Sequence, residues 1–266
     1  MLSKLEYTQT EMMIVAASRL LEDGKTVFTG TGMPILAALL AQNTRAPKLA
    51  IIYEAGGMCP HQPSTIPLSV GDSMTTYKAI MAASMDYVMS FIQAGYGEYA
   101  FLGAAQIDMY GNINTTVIGP YDKPKVRLPG SGGANDFGSL CWRTIIIMRQ
   151  DKRRFVEKLD FLTTPGYLTG PGAREKAGLP RNTGPWRVVT QLGIYGFDDD
   201  KKMTLLSIHP NVEIKNIQEN SCFPIKISDK VETTPEPTDK ELKILRSLDP
   251  YHIVLPIRNS NRNCAH

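Results

Sequence analysis

The stretch "IIYEAGG", residues 51–57, places a carboxylate, Glu54, where an apolar run ends and three small residues, Ala55, Gly56 and Gly57, begin. An ordinary strand-end glutamate turns to water, because ionised carboxylates are rarely buried without a partner. Two further glycine-rich stretches hold comparable positions: "TGTGMP" (29–34), with Gly30 and Gly32, and "GSGGAND" (130–136), with Gly132, Gly133 and Asn135. Glycine lets backbone N–H groups approach a developing negative charge closely. At the start of a helix such groups also carry the positive end of the helix dipole. For any single glycine, a tight turn needing positive φ is the simpler reading. Taken together, a carboxylate, an oxyanion hole and room for a bulky ligand describe acyl transfer through a glutamyl intermediate. On that reading Glu54 is catalytic and Gly132 and Gly133 are the oxyanion donors. Gly30, Gly32, Ala55, Gly56, Gly57 and Asn135 belong to substrate loops, the small residues at 55–57 leaving space beside the carboxylate.

Other chemistries find less support. "GTGMP" lacks the third glycine and the ribose-binding acid of a dinucleotide fingerprint, and neither G-x-x-x-x-G-K-[ST] nor G-x-S-x-G occurs. The four cysteines, Cys59, Cys141, Cys222 and Cys264, form no C-x-x-C pair, so neither a zinc site nor a disulfide framework is signalled. His61 lies near Glu54 in sequence, yet one histidine and one glutamate do not make a metal site, and none is expected. Cys59 reads as a small buried thiol. Two basic groups, Lys123, Lys125 and Arg127, and Lys152, Arg153 and Arg154, suit either a phosphate or partner contact or a solvated surface. The net charge of +3 is dispersed, which gives no tract for a nucleic-acid backbone. No apolar run approaches the ~18 residues of a membrane span, and "MLSKLEYTQTEMM" has no apolar signal core, so a cytoplasmic protein is expected.

The elements that must position these residues alternate between helix and strand. Thr8 and Glu11 have capping-box spacing before an apolar stripe, and Gly24 suits the position just past that helix. "KTVFTG" reads as a strand, followed by a helix with Pro34 in its first turn and by the strand "KLAIIYE". Further on come a helix in "SMDYVMSFIQAG", strands in "EYAFLGAAQID", "TIIIMRQ", "VEKLDFLTT", "WRVVTQLGIYGFD" and "MTLLSIHP", and helices near 212–219 and 238–248. Met12, Met13, Met81, Met85 and Met89 on helical segments read as core filler. The pattern predicts an α/β fold with an open, mostly parallel sheet and flanking helices. Residues 1–255 read as a single domain, with 256–266 as a frayed tail.

The chain resembles the beta subunits of class I coenzyme A transferases, and within them the glutaconate branch. "GTGMP", "IIYEAGG", "SVGD", "GAAQIDMYGNIN", "KPKVRLPGSGGAN", "DKRRFVEKLDF" and "GPGAREKAGLP" follow the family's order from about Tyr7 to about Pro250. The resemblance implies the family's fold, Glu54 as the nucleophile and Gly132 or Gly133 as an oxyanion donor. It also implies a coenzyme A thioester as substrate, a free carboxylic acid as acceptor, no permanently bound cofactor, and an alpha-type partner subunit. Ketoacid-type relatives carry S-E-N-G around the nucleophile where this chain has Y-E-A-G, which points away from a short ketoacid. Some members lack the glutamate and act as decarboxylases or ring-opening hydrolases. On the sequence alone, hydrolysis, decarboxylation or a purely assembling role on the same scaffold stay open.

Overall fold

The structure, a computed structural model, describes residues 5–61 and 65–257. Most of the expected tail, 258–266, lies outside the described residues. Helix α1 (Gln9–Ser18) begins with a capping box: Thr8 Oγ1 accepts the Glu11 N–H, and the Glu11 carboxylate accepts the Thr8 N–H. The helix ends at Ser18, so Gly24 is not its terminator; it occupies the turn before β1 with φ +72°. Strand β1 (Thr26–Thr29) leads into α2 (Met33–Gln42), with Pro34 in the first turn, and then β2 (Ala50–Ile52) lies parallel to β1. Two short antiparallel strands, β3 (Gly57–Met58) and β4 (Met81–Ala82), complete that side of the sheet.

Helix α3 (Met85–Phe91) continues into a π turn through Tyr96, and β5 (Tyr99–Leu102) then pairs with the opposite side of β1. The chain next leaves the sheet for two antiparallel ribbons, β6 (Gln106–Ile107) with β7 (Ile113–Asn114), and β8 (Val117–Ile118) with β9 (Val126–Arg127). Helix α4 (Ala134–Leu140) returns it to β10 (Arg143–Ile147), parallel to β5. After α5 (Ala173–Lys176), a single turn that no sequence pattern signals, come β11 (Pro185–Val189), β12 (Gly193–Phe197) and β13 (Met203–Ile208). Helix α6 (Ile214–Glu219), β14 (Lys226–Thr233) and α7 (Asp239–Leu248) follow, α7 starting with a second capping box, Thr238 with Glu241.

The sheet order is β14-β13-β12-β11-β10-β5-β1-β2-β3-β4. Its centre, from β11 to β2, is parallel throughout. Successive side chains there enter opposite layers. Val27, Ile51, Phe101 and Ile145 pack with α1, α2 and α7, whereas Phe28, Ile52, Leu102 and Ile146 pack with α3, α4 and α6. Strands covered on both faces read as continuous apolar runs, which is why the sequence signals them strongly. The α/β fold with an open, mostly parallel sheet is therefore as expected.

Four expectations need correction. "WRVVTQLGIYGFD" is not one strand but two, β11 and β12, which pair antiparallel across a turn at 190–192. "EYAFLGAAQID" is broken at 103–105, where the chain turns out of the sheet. "VEKLDFLTT" is not a strand but a wrapping loop, touching β6 and β7 through isolated bridges at Phe155 and Thr164. A few backbone bonds, such as Val156 N–H to the Ile107 carbonyl and Thr163 N–H to that of Ile113, tie it down, and side chains add to them: Asp160 accepts from Gln106 Nε2, and Thr163 Oγ1 accepts the Thr115 N–H. Finally, Met81 and Met85 face outward, while Met12 and Met13 are core.

Two buried polar side chains tie the layers together. Arg174, 3% exposed, donates to the carbonyls of Pro165, Gly166, Gly138 and Ser139 and to the Thr183 hydroxyl. Two of those carbonyls belong to the last turn of α4, where a cation also opposes the helix dipole favourably. His209 Nε2 donates to the Thr190 carbonyl, which leaves Nδ1 to accept from the Thr234 hydroxyl. Burial lowers the His209 pKa to about 4.

Arg174→Met strands several buried acceptors, each worth about 1–3 kcal/mol, so stability should fall on the order of 3 kcal/mol, read as a lower urea midpoint. For His209 the folded pKa is depressed, so between about pH 6.5 and about 4 the unfolded chain binds a proton that the folded one excludes. Stability should therefore fall as the pH drops through that window, by about 1.4 kcal/mol per unit at most, and His209→Gln should remove this part of the slope.

Candidate active site

Glu54 stands one residue beyond the consecutive buried residues Ile51, Ile52 and Tyr53, at the carboxyl end of β2. The chain reverses at once: Gly56 N–H donates to the Tyr53 carbonyl and Tyr53 N–H to the Gly57 carbonyl. This turn brings two backbones into contact. A Cβ at Gly56 would lie 1.8 Å from the Ala83 carbonyl oxygen, and one at Gly57 would lie 1.9 Å from that of Thr75. Gly56 and Gly57 are thus buried packing glycines, which corrects the expectation that they open space beside the carboxylate. Ala55 is exposed on the outside of the turn.

The open space comes from elsewhere. Chain direction around β1 decides it: β2 lies on one side and β5 on the other, so the loops leaving β1 and β5 diverge, as at the switch point of any open parallel sheet. A cavity of about 1060 Å³ occupies this divergence. Gly30 and Thr31 line it after β1, Glu54 after β2 and Gly103–Ala105 after β5; Arg153 and Arg154 reach it from beyond β10. The walls are largely apolar, with Phe101 and Ile147 from the sheet, Met33 and Phe137 from α2 and α4, and Ile118, Val126 and Leu128 from the β8–β9 ribbon and its exit. A Cβ at Gly30 or Gly130 would meet nothing within 4 Å, so these glycines do leave bare backbone at the cavity. Gly32 caps α2 with φ +80° and Asn135 is exposed; neither lines the cavity itself, whereas their neighbours Thr31, Met33 and Ala134 do. A second hollow lies at the opposite, amino ends of β1, β5 and β10, but its charges are satisfied within two pairs, Lys25–Glu98 and Arg143–Glu22.

The two glycines of "SGGAN" act differently. Gly133 N–H, at the N-cap of α4, donates to Glu54 Oε2 at 2.9 Å. Gly132 has φ +49° and turns its bare Cα toward the carboxylate; a Cβ there would lie 3.5 Å from Oε1. A Cβ at Gly133 would come within 2.6 Å of Oε2, 2.7 Å of Met89 Cε and 3.0 Å of the Phe137 ring. Gly133 therefore holds the carboxylate itself, where the sequence suggested a donor waiting for a later charge. Phe137, packed against Phe28 with ring centroids 5.5 Å apart, and Arg174 at the far end of α4 keep that N–H in place.

Sequence reasoning missed the frame behind the wall. Asn114, fully buried, donates to Gln106 Oε1 and to the Val117 carbonyl, and Thr115 Oγ1 donates to the Gly130 carbonyl, tying the glycine loop to the ribbons. The signal available was an asparagine inside a β-branched run, "INTTVI". Cys59 is half-buried, with a thiol pKa raised by burial, and so reads as a packed, unreactive thiol. His61 rests edge-on to Tyr77. Among the described residues no three His, Cys, Asp or Glu side chains converge as metal ligands, and no helix is long and apolar enough to cross a membrane. Of the two basic groups, Arg153 and Arg154 reach the cavity, while Lys123, Lys125, Arg127 and Lys152 do not.

Known proteins resemble this chain in sequence and in fold. The chain is 40% identical over 245 residues to a subunit of the 3-oxoadipate CoA-transferase of Pseudomonas knackmussii, covering 91% of this chain and 94% of that one. It is 40% identical over 256 residues to a subunit of the glutaconate CoA-transferase of Acidaminococcus fermentans, covering 92% and 93%. The crystal structure of glutaconate coenzyme A-transferase from Acidaminococcus fermentans superimposes with a TM-score of 0.90 at 36% identity, covering 96% of this chain and all of that one. Residues 10–220 match the family described as Coenzyme A transferase. The chain, an enzyme subunit by these relationships, belongs to the coenzyme A transferase family.

Proposed function

We propose that this chain is the subunit that carries the nucleophile of a transferase moving coenzyme A from an acyl-CoA to a free dicarboxylic acid of the glutaconate or 3-oxoadipate kind. The observation that carries the reading is the Glu54 carboxylate, held by the Gly133 N–H at the floor of an apolar cavity. Similarity to proteins named for dicarboxylic acids supports the acceptor class.

The chemistry follows from two oxygens in unequal settings. Oε2 is bound to Gly133 N–H, which leaves Oε1 to attack the thioester carbonyl. Attack forms an acyl-glutamyl anhydride and expels the coenzyme A thiolate, which takes the bonding pair of the broken C–S bond. The thiolate then attacks Cδ of Glu54, the first acid leaves as its carboxylate, and a glutamyl-CoA thioester remains. In that second step negative charge gathers on Oε2, where Gly133 N–H already points, so one donor serves the resting carboxylate and the tetrahedral intermediate alike. A second acid reverses the sequence. Since one thioester replaces another, no ATP is consumed and the kinetics are ping-pong.

Water must be excluded, or the anhydride and thioester hydrolyse. The cavity is open in the isolated chain, and both relatives are named as one subunit of a larger enzyme; an alpha-type partner that closes the mouth fits both facts. Transfer without net hydrolysis separates this reading from a hydrolase or a decarboxylase on the same scaffold.

Incubation of the assembled enzyme with an acyl-CoA and no acceptor should leave Glu54 as a thioester, which hydroxylamine converts to a hydroxamate visible at that residue by peptide mass spectrometry. Glu54→Gln should fold and bind yet lose transfer almost completely, and Glu54→Asp, moved back on the order of 1 Å, should lose roughly 100-fold. Full transfer in both, with no labelled Glu54, would return the carboxylate to a solvated strand end. Gly133→Ala places a methyl against Oε2, so kcat should fall about 100-fold. A well-folded Gly133→Ala enzyme with undiminished kcat would show that the hydrogen bond is only structural.

A further inference from the structure

Among the described residues, the charged side chains lining the Glu54 cavity are Glu54 itself, Arg153 and Arg154. The other walls are apolar or carry only hydroxyls and backbone. Both arginines follow β10, in the same turn as Asp151. That turn sets their difference. Asp151 accepts from Arg154 Nη1 at 2.7 Å and from the Arg153 backbone N–H, while the Arg153 guanidinium stays 3.7 Å away and 89% exposed. One carboxylate thus faces two guanidinium groups, leaving one positive charge unbalanced at the cavity. Arg154 is oriented by its partner, and Arg153 keeps its donor fork for something else. The neighbouring Lys152 does not line the cavity, so this is not a uniform basic surface.

We infer that Arg153 and Arg154, beyond β10, form an anion subsite of the cavity that receives the second anionic group of a substrate whose carboxyl or thioester reacts at Glu54. A substrate anion entering apolar walls loses its hydration, which is unfavourable unless a partner meets it. Guanidinium groups are the side chains least costly to desolvate and best shaped for carboxylate or phosphate oxygens. In a cleft walled by low-dielectric groups an unbalanced positive charge also draws anions inward. The shared chemistry is an oxyanion, and it has two sources here: the distal carboxylate of a dicarboxylic acid, or a phosphate of coenzyme A. The inference rests on the transferase reading and extends it to the residues that select the acceptor.

The test uses this chain co-expressed with its partner subunit, acetyl-CoA as a donor without a distal carboxylate, and glutarate and its monomethyl ester as acceptors. In Arg153→Gln the kcat/KM preference for the diacid over its half-ester should fall about 10-fold or more, the loss expected for a hydrogen bond to a charged group, and Arg153→Lys should restore part of it. If instead the preference holds but the KM for acetyl-CoA rises relative to that for dephospho-acetyl-CoA, the subsite takes a phosphate. Neither change, in Arg153→Gln and in Arg154→Gln alike, would overturn the inference. Absence of transfer by the wild-type assembly would overturn the transferase reading alone; glutarate binding by calorimetry, compared between wild type and Arg153→Gln, would then still decide the subsite.

Discussion

The hydrogen bond from Gly133 N–H to Glu54 Oε2 is the constraint to which the rest of this structure answers. It joins a helix start to a strand end, and both must be placed to within tenths of an ångström for a 2.9 Å contact to form. Helix α4 has only seven residues, too few to be stable through its own ladder. Its position comes from packing: Phe137 against Phe28, and Gly138 so close to the wrapping loop that a Cβ there would lie 2.2 Å from Thr164 Cγ2. Arg174 then fixes the carboxyl end through the Gly138 and Ser139 carbonyls. A buried cation paired only with neutral oxygens is an expensive device, and its place at this helix is consistent with the precision the site requires.

Around that contact, topology supplies the room. The chain passes from β2 across β1 to β5, and the divergence of the loops at this crossing opens the cavity without any strand being shortened to make space. Small residues then serve two opposite purposes within a few ångströms. Gly56 and Gly57 let backbones meet, which makes the turn under Glu54 rigid, whereas Gly30 and Gly130 leave backbone bare toward the ligand. The apolar wall closing the far side comes from the β8–β9 ribbon, which is itself held by the Asn114, Gln106 and Thr163 hydrogen bonds. A polar network buried in this way is favourable only when every member finds a partner, so it also fixes the wall in one position.

These features give the proposed reaction its economy. In that proposal the nucleophile is the Glu54 carboxylate, held by the Gly133 N–H. Its proposed reactivity rests on apolar walls that a partner subunit would close against water and on a donor aimed at the oxygen that would carry charge. The Arg153 guanidinium, exposed and 3.7 Å from the Asp151 carboxylate that it shares with Arg154, adds the complementary element, an attraction for anions at the cavity.

Interactions between near neighbours in the chain left clear marks in the sequence. Thr8 with Glu11 and Thr238 with Glu241 announced two helix starts, continuous apolar runs announced the central strands, and a glutamate before Ala55 and two glycines marked the strand tip whose carboxylate Gly133 holds. The ordered motifs, read together, announced the family. Only the tertiary structure decided which glycine donates, because Gly133 and Glu54 are 79 residues apart and nothing in either loop alone distinguishes Gly132 from Gly133. The same separation hid the purpose of Gly56 and Gly57, whose neighbours Ala83 and Thr75 arrive from a later segment, and the sorting of Arg153 from Lys152. Capping and periodicity act over three or four residues and so appear as spacing. A cavity is bounded by segments that meet only after the sheet has formed, and its geometry belongs to the packing of those segments and to no one of them.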